Sequence, residues 1–357
     1  MPDGSNNSVY SARPLIRLAG QDNADLTAGL LSLLVAETAS GLYRCEALFG
    51  NWGPMQGSTG FMYFDRRTLD FGKAFQVKMG SDTLFDGRIM ALEARYPEGG
   101  PPQIAVLAED RLQDLRMTRR TRSFADVSDS DVLSSIASDH GLSPQANWSG
   151  PTYKVLAQVN QSDLAFLRDR ARANEAEVWV EGTTLHVAPR RSRASGSPLE
   201  LAMGARLREF SVTADLANQR TGVTAGGWDV AGKSAIGAQA DGSVISSELD
   251  NGDSGPSVLS SALGERKEVL AHGMPLKTDE ARAQAEAAMR AIARRFIVGR
   301  GLAQTDPKLR VGTYVQLSGL GPLFNGKYYV AEVRHMFDTL HGSRTEFTGE
   351  RPGLGRP

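Results

Sequence analysis

Few residues of this chain combine the types and spacing that chemistry needs. Of the five histidines, His140, His186, His272, His335 and His341, only His335 and His341 sit close enough in sequence to share an ion, across a turn. A zinc site takes three or four ligands, and the neighbouring sequence supplies no others. The single cysteine, Cys45, lies in Leu42-Tyr43-Arg44-Cys45-Glu46-Ala47-Leu48, the setting of a buried small hydrophobe rather than a nucleophile. One cysteine also excludes an intramolecular disulfide and any multi-cysteine metal site. No Gly-x-Ser-x-Gly elbow frames a serine, and there is no P-loop and no dinucleotide fingerprint. Two acids, Glu93 and Glu332, recur in similar surroundings, which suits fold-bearing or rim charges better than a catalytic pair. The expectation is a chain with no catalytic, cofactor-binding or metal-binding residue, and no cofactor.

One charged stretch tempts a different reading. Residues 111–122 carry Arg111, Arg116, Arg119, Arg120 and Arg122. Glu109, Asp110 and Asp114 dilute that charge, and no aromatic residues interleave as stacking platforms. A solvated or interface face is expected there rather than a specific nucleic-acid site. The whole chain, at 357 residues with a formal net charge of −1, exerts no global pull on nucleic acid or an anionic membrane. Its length suits two to four domains. No run approaches the ~20 apolar residues of a membrane span, and the polar start Met1–Ser8 lacks a signal pattern. A protein made in the cytoplasm, with no membrane partner, is expected.

The elements that hold Glu93 and Glu332 read as two copies of one unit. Gly80 to Arg95 aligns without a gap on Gly319 to Arg334, matching Leu84 with Leu323, Phe85 with Phe324, Gly87 with Gly326, Glu93 with Glu332 and Arg95 with Arg334. Asp-Gly and Asn-Gly suit tight hairpin turns, so each copy reads as strand, turn at Asp86-Gly87 or Asn325-Gly326, and strand. The fold class expected is α+β, mainly β: two similar antiparallel β-barrels plus helix-containing inserted domains.

In chain order, residues 1–12 read as a disordered tail and 13–110 as the first barrel. Within it, the Gly/Pro/Trp-rich stretch from Gly50 reads as a long loop, in which Trp52, Met55, Phe61 and Met62 either plug a barrel end or face a partner. Residues 111–190 read as an α+β domain. Its first helix is capped by Ser128 with Asp131, its second by Ser162 with Asp163, and a hairpin spans Glu177 to Val187. Pro189 to Ser197 reads as a linker. Residues 198–231 and 305–351 form the second, discontinuous barrel. Residues 232–304 are inserted in it, with a Gly/Ser-rich mobile loop at 232–255 and a long helix from Thr278 to about Val298.

The run Ser162-Asp163-Leu164-Ala165-Phe166-Leu167, with Glu109-Asp110-Arg111-Leu112, Trp179 to His186, and Phe324 to Val330 near the end, resembles the phage late control protein D family. That family includes contractile-tail hubs similar to the hub of VgrG-type spikes. The resemblance implies a homotrimer whose six similar barrels join a hexameric inner tube protein to a trimeric spike, among other baseplate proteins, in a phage tail or injection particle. The chain ends at Pro357, so the spike is expected as a separate polypeptide. The competing readings are a cell-wall-degrading tail enzyme and a nucleic-acid module built on the arginine run.

Overall fold

The computed structural model describes residues 13–356 except 56, 149, 195, 230–231, 251 and 272–274. The tail at 1–12 and His272 lie outside the described residues. The first part runs Leu15–Leu18 (β1), Gln21–Asp22 (β2), Ala24–Gly29 (α1), Leu30–Thr38 (β3), Arg44–Gly50 (β4), Trp52–Met55 (β5), Ser58–Phe61 (β6), Ala74–Met79 (β7), Asp82–Arg95 (β8) and Gln103–Glu109 (β9). The middle comprises Leu112–Arg116 (α2), Arg119–Val127 (β10), Asp129–Asp139 (α3), Ser143–Ala146 (β11), Tyr153–Ser162 (β12), Asp163–Ala173 (α4), Ala176–Glu181 (β13), Thr184–Pro189 (β14) and Arg190–Arg193 (α5). Leu199–Ala202 (β15) and Leu207–Ala214 (β16) open the last part. An excursion follows through Gly222–Asp229 (β17), Ser234–Asp241 (β18), a 3-10 turn at Gly242–Glu248, Asp253–Ser254 (β19), Gly255–Leu263 (α6), Lys267–Leu270 (β20) and Thr278–Arg294 (α7). Ile297–Gln304 (β21), Tyr314–Ser318 (β22), Gly326–Asp338 (β23), Gly342–Arg351 (β24) and Gly353–Leu354 (β25) complete the chain.

Mainly β is what the structure has, with a large antiparallel sheet that spans both halves. Thirteen strands form this sheet in the order β16-β21-β24-β23-β3-β4-β9-β8-β7-β1-β2, with β22 beside β23 and β15 beside β22. The outer edge of β3 pairs with β23 of the last part, which joins the two halves. Alternation sets the inward face. Phe75, Val77 and Met79 of β7, with Val35, Ala47, Phe49 and Val106, make one core. Val315, Leu317, Tyr328, Val333 and Phe347 make another. Each fully buried Phe or Val contributes about 1.5–3 kcal/mol.

The two halves match strand for strand: β3, β4, β7, β8 and β9 hold the places of β16, β21, β22, β23 and β24. A bulge interrupts β8–β9 between Ile89 and Ala91, and its counterpart interrupts β23–β24 between Val330 and Glu332. A second bulge lies between Leu30 and Ser32, and again between Leu207 and Glu209. Gly72 N donates to Ile89 O at 2.8 Å, as Gly312 N does to Val330 O at 3.0 Å. Bulges re-aim strands at particular places, so their coincidence fixes the register. That register slips two residues from the sequence alignment: Glu332 corresponds to Ala91, and Glu93 to Arg334.

The turn residues explain the slip. Asp86 and Gly87 lie inside β8, opposite Gln76 and Phe75, while the turn falls at Gly80-Ser81 between paired Met79 and Asp82. A Cβ at Gly87 would collide with the Glu109 carbonyl and the Phe85 ring, so glycine serves a close approach there. Gly326, at φ +139, opens β23 after a longer loop in which Asn325 accepts from Leu320 N at 2.8 Å.

Three other expectations change. The stretch after Gly50 is a hairpin, β5 with β6, rather than a loop. The strand at 222–229 leaves the large sheet to pair with β18 and β20, so the second half draws on 199–214 and 297–351. Residues 232–255 contain β18 and the 3-10 turn, whose small residues pack under α7 through Ile236, Ala240 and Met289. The capped helices fall as expected: Ser128 and Asp131 form a capping box on α3, and Ser162 accepts from Ala165 N on α4 at 3.2 Å.

Candidate functional site

The place where chemistry, charge and fold converge is the joint between the halves. Here β3 and β23 pair antiparallel over seven positions, from Thr38 opposite Glu332 to Ser32 opposite Asp338. Val35, Glu37, Val333 and His335 point into the interior and are almost fully buried. Burial pushes the Glu37 pKa up, opposed by the Arg310 guanidinium with which it pairs. Glu37 Oε2 also accepts from Val311 N at 3.1 Å, and Arg310 donates to Thr83 O at 3.0 Å, so one arginine ties the two halves. Burial pushes His335 down to about 3, and its Nδ1 lies 2.9 Å from Thr345 Oγ1. It is a neutral core histidine.

Two arginines of α5 clamp the middle domain to both halves. Arg193 donates to Glu177 Oε2 at 2.8 Å and to the Tyr43 hydroxyl, and stacks over Trp179. Arg190 pairs with Glu350 and lies 3.8 Å from the Tyr329 ring centroid, while Tyr329 donates to Glu177 at 2.6 Å. Tyr43 belongs to the first half, Glu177 and Trp179 to the middle, and Tyr329 and Glu350 to the second. Burial raises the pKa of both tyrosines, which stay neutral. A cleft of about 510 Å³ beside them takes in Glu37, Asp110, Arg193 and Arg310. Glu37 pairs with Arg310 and Arg193 with Glu177, while Asp110 accepts from Tyr43 N at 2.8 Å and Leu112 N at 2.9 Å. Sequence reading missed this site by taking 189–197 as a linker. The alternation Leu33, Val35, Glu37 was the available signal that an acid faces inward.

The other expected residues fall into three groups. Leu84 and Phe85 are buried in the first core, while Leu323 and Phe324 are half-buried in the loop before β23. Arg95 bridges Glu93 and Glu46, Arg334 lies 3.6 Å from Glu346, and Glu332 accepts from Thr348, so the two glutamates have separate partners. In the family motif, Leu164, Phe166 and Leu167 fill the middle core. Burial would raise the Asp163 pKa, but contacts with His140, Gln158 and Arg122 lower it on balance. Arg120 and Arg122 pair with Asp139 and Asp163, Arg116 with Glu109, and Arg111 with Asp114. The arginine run is thus engaged within the chain. Trp52, Met55 and Phe61 are exposed, and Met62 is half-buried against the first core. Trp52, Phe61, Phe64 and Tyr96 form a chain of ring contacts 4.9–6.3 Å apart.

His335 and His341 do not converge, since His341 is exposed beside Asp338. Among the described residues no group of three or more His, Cys, Asp or Glu is placed to hold a metal ion. No helix among them is long and apolar enough to cross a membrane.

This fold is similar to that of solved tail proteins. The 43 kDa tail protein of prophage MuSo2 from Shewanella oneidensis superposes with a TM-score of 0.70 at 12% identity, covering 96% of this chain and 99% of that one. The tail protein from Neisseria meningitidis MC58 gives 0.67 at 12%, covering 97% and 98%. An E. coli component of the type VI secretion system, described as similar to T4 bacteriophage tail proteins gp27 and gp5, gives 0.59 at 10%, covering 96% and 79%. At these identities the likeness shows the fold. In sequence, the model described as the Alg8 N-terminal domain matches residues 58–338, and the chain belongs to that family. Its bounds start inside the β5–β6 hairpin and stop at the end of β23, so they follow no structural unit. No curated protein matches the sequence.

Proposed function

We propose that this chain is a structural, non-enzymatic hub of the baseplate of a contractile tail or injection machine. Three copies form a ring that joins a hexameric inner tube to a trimeric central spike, among other baseplate proteins. The observation that carries this reading is the joint. Two like halves meet head to tail through β3 and β23, a heterologous contact that can be repeated from copy to copy until it closes. Three chains of two halves present six similar units to a sixfold tube and three identical chains to a threefold spike. The tail-protein folds of similar structures support the setting. The balanced charges at the joint support a fastening rather than a reaction centre. Electron microscopy of the particle tests it: a threefold ring on the tube axis is expected. A single copy at the baseplate periphery would refute it.

A further inference from the structure

We infer that the outer edge of β16 in one copy pairs with residues 91–96 at the end of β8 in the next, in the register that β3 and β23 hold within the chain. This rests on the ring reading above and adds the strands and the register.

The equivalences leave little freedom. In the second half, the strand leaves β22 at the Gly312–Val330 hydrogen bond and then pairs with β3. In the first half, β8 leaves its hairpin partner at the Gly72–Ile89 bond, and beyond it no described strand pairs along that edge. The counterpart of β3 is β16, which ends the sheet. Both members of a second joint are therefore present in each chain, at opposite ends of the repeat.

Burial differs in the sense that a missing partner requires. Val333, His335 and Phe337 are 0%, 1% and 9% exposed. Their counterparts are Leu92, half-buried, Ala94, exposed, and Tyr96, 66% exposed. Facing them inside the chain are Glu37, Val35 and Leu33, all buried; the counterparts Ala214, Val212 and Phe210 are only half-buried. Transferring the register sets Leu92 against Ala214, Ala94 against Val212 and Tyr96 against Phe210, with no charged residue on the inward face. On the outward face Glu93 meets Thr213 and Arg95 meets Ser211, so no like charges oppose. Pro97, lacking an N–H, falls where Asp338 ends the internal ladder. The aromatic chain from Trp52 to Tyr96 would continue onto the neighbour's Phe210.

Cysteine pairs test this in the full chain. Glu93→Cys with Thr213→Cys, and Ala94→Cys with Val212→Cys, sample adjacent rungs; Ala94→Cys with Ala214→Cys sits two residues out of register. Cys45 is buried and serves as a silent background. Under mild oxidation the first two variants should form covalent dimers and trimers on a non-reducing gel, and the third none. Native mass of the unmodified chain is read in parallel. Threefold mass with no in-register cross-link, or with cross-linking only in the shifted variant, would overturn the pairing and leave the ring standing. A monomeric mass at every concentration would overturn the ring itself.

Discussion

His335 lies in the ladder that joins the halves, and its protonation is a load on that ladder. Its folded pKa, near 3, is below the ordinary value of 6.5. The unfolded chain therefore binds the extra proton first, and stability falls as pH drops from about 6.5 towards 3. Within that window the loss should approach about 1.4 kcal/mol per pH unit. Replacing His335 by Leu should flatten the dependence of the denaturation midpoint between pH 6 and 4; an unchanged slope would place the acid sensitivity elsewhere. Arg193 makes a second test. Removing one partner of a buried pair costs about 3–5 kcal/mol, so Arg193→Met should lower stability in urea by up to about that amount, with Glu177 keeping only Tyr329 and the more distant Arg190. Arg191, exposed on the same short helix, should tolerate the same change within about 0.5 kcal/mol.

At the scale of elements, the two open strand edges are where the proposed ring would be joined. Val212→Asp puts a charge where the neighbour's Ala94 would cover it. Because Val212 is only half-buried within its own chain, the fold should survive with a loss of about 1 kcal/mol or less. Sedimentation should show loss of the higher mass, and a variant that assembles normally would remove β16 from the joint. Much of the local structure was legible in the sequence. The caps at Ser128 and Ser162 and the β13–β14 hairpin are written in short-range chemistry. The duplication is inferred from Leu-Phe and Gly spaced alike in both halves, but the matching bulges show that those residues are not equivalent. Its register was not legible, because Gly87 is selected by the Phe85 ring and the Glu109 carbonyl, which come together only in the sheet. Nor was the clamp: Arg190 and Arg193 look like a solvated linker until Tyr43, Glu177 and Glu350 arrive from three parts of the chain.

The whole molecule is one sheet spanning two halves, with its middle domain fixed by ion pairs rather than by a flexible tether. The β5–β6 hairpin has no counterpart between β21 and β22, so the proposed ring of six units would carry three such aromatic projections. Trp52→Ser combined with Phe61→Ser should leave folding and threefold mass intact while weakening co-purification with a tail partner. Unchanged partner recovery would make the hairpin a plug of its own half.

The internal β3–β23 ladder also bears on how fast a ring can be built. Six separate units would need each contact to form by collision, with translational and rotational freedom lost every time. Here alternate contacts form when the chain folds, at the high effective concentration of tethered partners. Three contacts remain, and two encounters bring three chains together, so the threshold concentration for assembly should lie far below that of the separated halves. In the proposed ring, the covalent link between two like units would act as a kinetic device, forming three of the six contacts before any two molecules meet.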